Sequence, residues 1–175
     1  PEAKILASPN DILDCKIDEI ILAGEIKGSS DANTIWLDQN GVIYSGGTVL
    51  QIDNPGTYWF AIVDTVTFCS DTASIYIGQD QLYPPLFINP PATLTCSIGS
   101  VTLTGGSPIG GILFQWATLI GNDTTILGTG TSVIVTQPGT YRLFGYDPVN
   151  GCNNSLITVV VADQTYPTAN AGPPF

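Results

Sequence analysis

Pro55-Gly56-Thr57-Tyr58-Trp59-Phe60-Ala61-Ile62-Val63 is the stretch on which the fold turns. Pro and Gly bend the chain into a run rich in aromatic and β-branched residues, the signature of a strand that follows a tight turn. Eighty-three residues later the same turn returns unchanged as Pro138-Gly139-Thr140-Tyr141 and opens a second run, Arg142-Leu143-Phe144-Gly145-Tyr146. Outward from this pair, other landmarks repeat in one order. Leu13-Asp14-Cys15 is echoed by Leu94-Thr95-Cys96, Gly24 by Gly105, Trp36 by Trp116, Asp64 by Asp147 and Cys69 by Cys152. The chain is therefore two copies of one unit of about 80 residues.

The Pro-rich connector Leu82-Tyr83-Pro84-Pro85-Leu86 separates the copies. Short β-branched and aromatic runs such as Ile20-Ile21-Leu22, Thr34-Ile35-Trp36-Leu37 and Val49-Leu50-Gln51-Ile52 fill each copy, and no amphipathic helix appears. The pattern predicts an all-β chain with two tandem immunoglobulin-like β-sandwiches, each of about seven strands. Their expected bounds are residues 1–82 and 83–166. Residues 167–175 read as the start of a further repeat or a linker, so the chain is expected to be cut from a longer array.

The 175 residues carry 15 Asp plus Glu against 4 Lys plus Arg, for a net charge of −11, with no His and 4 Cys. Without His there is no usual general base near neutral pH and no nucleophile–His pair, so an enzyme is not expected. A single Arg on an acidic chain argues against nucleic acid, which needs clustered cations. No apolar run reaches the 18 residues of a spanning helix, so no membrane insertion is expected.

Cys15 and Cys69 lie 54 residues apart, and Cys96 and Cys152 lie 56 apart. Of the three possible pairings the simplest is one disulfide per copy, Cys15 to Cys69 and Cys96 to Cys152, placed at one end of each sandwich. Disulfides imply an oxidising compartment, and the absence of a C-x-x-C spacing argues against zinc. Tyr58 and Tyr141 are expected to form tyrosine corners, with Trp36 and Trp116 as core anchors. Trp59 has Arg142 at its equivalent position, which makes it a candidate binding residue on the surface. Acids are uneven: 12 of the 15 lie in residues 1–82, and Asp11, Asp14, Asp18 and Glu19 cluster beside Cys15. They are candidate calcium ligands, as are Asp147, Asn150, Asn153 and Asn154 around Cys152, and no other cofactor is expected.

The order Leu-x-Cys, strand-Gly, Trp, Pro-Gly-Thr-Tyr, Asp, Cys, with the Pro-rich start Pro167-Thr168-Ala169-Asn170-Ala171-Gly172, resembles the immunoglobulin-like and PKD-like repeats of giant secreted adhesins and filaments of gliding bacteria. Of the PKD signature, Trp36-Leu37-Asp38-Gln39-Asn40-Gly41 keeps the Trp and the turn. The resemblance implies an extracellular β-sandwich spacer or adhesin module displayed at the cell surface in many copies. With its cysteines the chain then reads as a disulfide-stapled stalk with neighbouring repeats as partners. The low charge and high Gly and Thr content leave flat surfaces that suit a homo-oligomer or fibre. The resemblance also makes Thr65, Thr72 and Thr124, each after Asp, candidates for the O-glycosylation such bacteria perform. The alternative is a specific module that binds a surface glycan or protein.

Overall fold

The computed structural model describes residues 1–44, 46–121, 123–163 and 165. The segment 167–175, expected to begin another repeat or a linker, lies outside them. The chain divides into two units, one of Pro1–Leu82 with Asn150–Cys152, the other of Tyr83–Val149 with the chain from Asn153 onward. Among the described residues there is no helix long and apolar enough to cross a membrane.

The first unit contains β1 (Glu2–Ser8), β2 (Ile12–Asp14), β3 (Ile20–Lys27), β4 (Ala32–Asp38), β5 (Ile43–Tyr44), β6 (Val49–Ile52), β7 (Gly56–Asp64) and β8 (Ser70–Asp80). They form two sheets, β1-β3-β6 and β2-β8-β7-β4-β5, with β2 parallel to β8. The second unit contains β9 (Phe87–Ile88), β10 (Leu94–Thr95), β11 (Val101–Gly106), β12 (Leu113–Ile120), β13 (Asp123–Thr129), β14 (Ser132–Val135), β15 (Gly139–Tyr146), β16 (Asn153–Val160) and β17 (Ala162–Asp163). Its sheets are β14-β11-β9 and β13-β12-β15-β16, with a parallel β10-β17 pair. Both units are immunoglobulin-like sandwiches: a three-stranded sheet, β1-β3-β6 or β14-β11-β9, accompanies a larger sheet in which the strand after the Pro-Gly turn, β7 or β15, is central.

That strand shows why the sequence folds this way. Along β7, Tyr58, Phe60, Ile62 and Asp64 turn inward while the residues between them face outward, the period of two that a half-buried strand imposes. The Tyr58 hydroxyl donates to the Asn54 carbonyl at 2.8 Å, and the Tyr141 hydroxyl donates to the Gln137 carbonyl at 2.7 Å. These are the two tyrosine corners. Burial pushes both phenols above their ordinary pKa.

The cores repeat residue by residue. Leu94, Val101, Leu103, Trp116, Val135, Tyr141, Leu143 and Val160 stand where Leu13, Ile20, Leu22, Trp36, Ile52, Tyr58, Phe60 and Ile77 stand in the first unit. Gly24 is glycine because a side chain there would overlap the ring of Phe60. Its counterpart Gly105 sits under Leu143, the residue equivalent to Phe60. At the position of Ile62 the second copy has Gly145, and Leu86 fills the space: its Cδ2 lies 2.5 Å from where a Cβ would stand.

Each sandwich has two poles. In the first unit the chain enters beside Asp71, whose carboxylate accepts the Ala3 amide at 2.7 Å, and leaves after Asp80 at the far end of β8. These ends are called the leading and trailing poles. In the second unit Asn154, near the start of β16, donates to the Pro84 carbonyl at 3.0 Å, which marks the leading pole there.

Candidate functional site

The cysteines do not pair within copies. β2 runs parallel to β8 with Asp14 opposite Asp80, so Cys15 lies at the trailing pole, whereas Cys69 immediately precedes Ser70 at the leading pole. The eleven residues of β8 between them span about 35 Å at about 3.3 Å per residue. A disulfide needs Cα atoms within about 7 Å, which excludes the expected Cys15–Cys69 bond. The second copy repeats the arrangement, with Cys96 after β10 at the trailing pole and Cys152 before β16 at the leading pole. The expected Cys96–Cys152 bond is excluded in the same way.

Instead Cys15 is bonded to Cys152, with a Cα–Cα distance of 5.0 Å across a sequence separation of 137. Cys69 and Cys96 are exposed thiols. The turn Asn150-Gly151-Cys152 belongs to the first unit by its contacts, and its chemistry explains why. The buried Asn150 side chain donates to Asp80 Oδ1 at 3.1 Å and to the Leu82 carbonyl at 3.0 Å, and its Oδ1 accepts the Cys152 amide at 2.9 Å. Its backbone carbonyl accepts the Cys15 amide at 3.0 Å. Gly151 holds φ at 76° and leaves room for the stem of Lys16, which a side chain would overlap. Cys152 is fully buried.

The acidic cluster is not gathered into a chelate. Asp14 Oδ1 accepts the amides of Lys16 and Ile17 in a local turn, and Glu19 accepts from Gln51 Nε2 at 2.6 Å. Among the described residues no group of three or more Asp, Glu, Cys or His side chains could hold a metal, so Asp11, Asp14, Asp18 and Glu19 do not form the calcium site expected of them. Around Cys152, Asn150 and Asn154 direct their side chains to carbonyls, and Asp147 accepts the Val149 amide at 2.8 Å. Trp59, the candidate surface binding residue, is half-buried on the outer face of β7, opposite Leu37 and Ser74 in register. Arg142 at the same place stacks 5.6 Å from the Phe144 ring. Thr65, Thr72 and Thr124 are exposed, and Thr65 Oγ1 donates to the Asp31 carbonyl at 2.9 Å.

Asp64 organises the leading pole. Its carboxylate accepts the Ser29 hydroxyl at 2.6 Å and the amides of Thr67 and Val66 at 2.6 and 2.9 Å. The Ser29 hydroxyl and then the Thr67 amide hold its pKa well below the carboxylate range, against the opposing effect of burial. Because the folded pKa is depressed, the stability it confers is present above the unfolded value of about 4 and is lost as pH falls below it. Asp64→Asn should therefore flatten the acid limb of a stability-against-pH curve. Denaturant titrations from pH 7 to pH 2 check this, and an unchanged acid limb would contradict it.

A polar groove lies under the first tyrosine corner, lined by Asp38, Asn40, Tyr44 and Asn54 among others. Its carboxylate is already engaged: Asp38 Oδ1 accepts the Asn40 and Val42 amides, and its Oδ2 accepts the Tyr44 hydroxyl.

No family model matches the chain, and no curated protein matches it. Among solved structures it is similar to a chain in the crystal structure of mouse coronavirus receptor-binding domain complexed with its murine receptor, at 16% identity and a TM-score of 0.41 over 91% of this chain and 100% of that one. Murine CEACAM1b is similar at 17% identity and a TM-score of 0.39, over 93% and 100% of the two chains. Dscam1 isoform 6.44, in its N-terminal four Ig domains, is similar at 14% identity and a TM-score of 0.35, over 92% of this chain and 51% of that one. The immunoglobulin-like assignment rests on the strand order itself.

Proposed function

We propose that the chain is a structural and adhesive repeat module of a long extracellular surface protein or filament of the bacterial kind, in which covalent links between successive copies resist force. The observation that carries this reading is the placement of one cysteine at each pole of both sandwiches, with Cys15 of the first copy bonded to Cys152 of the second. A bond that joins copies suits an array under tension, and a disulfide belongs to an oxidising compartment outside the cytosol. The chain has no His, so neither a His general base nor a nucleophile–His pair supports an enzymatic reading. The binding-module alternative is weaker, because Trp59 is half-buried and the Asp38 carboxylate and Tyr44 hydroxyl of the polar groove are engaged with each other and with the Val42 amide.

Immunogold electron microscopy of the cells that make the protein tests the reading. Antibody against this chain is expected to decorate filaments at the cell surface at repeated intervals. Label confined to the cell interior, or to isolated particles, would remove it.

A further inference from the structure

Cys69 and Cys96 are the repeat counterparts of the two cysteines that are bonded: Cys96 matches Cys15 and Cys69 matches Cys152. Each stands at the pole where its counterpart makes the bond. The surroundings also match. A shallow groove at the trailing pole of the second unit is lined by Thr95, Cys96, Ser97, Asp163 and Thr165. In the first unit Asp80 and Leu82, the counterparts of Asp163 and Thr165, are the two residues that Asn150 grips beside Cys15.

The turn that would enter that groove is already shaped for it. Phe68 holds φ at 58°, the left-handed conformation that its counterpart Gly151 holds at 76°. Such a backbone is costly for a bulky residue, and Phe68 and Val66 are 80% and 72% exposed. A large apolar side chain held out beside a thiol calls for a cover. In the occupied site Gly151 is small and Lys16 covers it. At the second trailing pole the counterpart of Lys16 is the small Ser97, and the residue to be accommodated is the large Phe68. The exchange of sizes is reciprocal.

We propose that Cys96 of one molecule forms a disulfide with Cys69 of another copy of this repeat pair, the Thr67-Phe68-Cys69 turn seating beside Ser97 and Asp163 as Asn150-Gly151-Cys152 seats beside Lys16 and Asp80. This presupposes the tandem-repeat reading. In the chemical step one cysteine thiolate attacks a small-molecule disulfide such as oxidised glutathione, forming a mixed disulfide and expelling one thiolate. The second cysteine then displaces the other half. Two protein thiols lose two protons and two electrons, and the glutathione disulfide is reduced to two thiols.

The test mixes the full-length Cys69→Ser and Cys96→Ser proteins in a glutathione redox buffer and maps linked peptides by mass spectrometry. Cys15–Cys152 should remain in both. The mixed dimer joined through Cys96 and Cys69 is expected in at least about tenfold excess over the two homodimers together, and Ser97→Lys, which restores bulk against Phe68, should abolish the excess. A mixed-to-homodimer ratio at the random value, an excess that survives Ser97→Lys, or no dimer at all would overturn the proposal. None of these outcomes alters the surface labelling that tests the function.

Discussion

Pulled between its two ends, the oxidised chain is expected to stop at a covalent limit. The Cys15–Cys152 bond removes a separation of 137 from the force path and leaves 38 of the 175 residues to extend, a contour of about 130 Å at about 3.3–3.6 Å per residue. Reduction should release the 137 hidden residues, a further contour of about 450–490 Å. Bonds within copies would instead hide segments of 54 and 56 residues, and reduction would add two increments of about 180–200 Å each. Single-molecule extension with and without reductant separates these outcomes. An unchanged contour length would remove both the bond and the mechanical role built on it.

The second large effect is expected at the core tryptophans. Trp36 is fully buried, with its ring 4.6 Å from that of Phe60, and its Nε1 donates to the Gly47 carbonyl at 3.1 Å. Trp36→Ala should cost about 3–5 kcal/mol for the lost contacts and the cavity, with about 1 kcal/mol more for the lost hydrogen bond. A domain of this size is stable by only about 4–12 kcal/mol, so the first sandwich should lose much of its stability. Trp116 is equally buried, but its Nε1 has no hydrogen-bond partner among the described residues. Trp116→Ala should therefore sit at the lower end of the range, and Trp116→Phe should cost less than Trp36→Phe. Denaturant unfolding of the four variants measures all of this, and equal costs for the two Phe substitutions would contradict the difference in hydrogen bonding.

The core was legible in the sequence because the repeat and the period of two both act on side chains that must be buried. The landmarks Leu13, Trp36 and Tyr58 and their counterparts are all core residues. The disulfide was not legible. Pairing by spacing treats the turn between the last two strands and the segment before β3 as neighbours. The decisive element is β2, three residues long, whose parallel pairing with the far end of β8 carries Cys15 to the other pole. A three-residue strand has too little periodicity to be read in advance. The sequence places Trp59 on an outward position but does not show how much of it is covered: on a central strand, between β4 and β8, its neighbours in the sheet leave it half-buried.

The contact between Leu86 and the gap above Gly145 bears on where a repeat of this kind can be exchanged. Leu86 belongs to the connector, yet it completes the interior of the sandwich that follows. Recombination that exchanged the second module at the start of β9 would leave this plug behind and graft a hollow interior onto a foreign linker. The inheritable unit thus begins upstream of its first strand, and the boundaries at which modules can be shuffled are offset from those at which they fold.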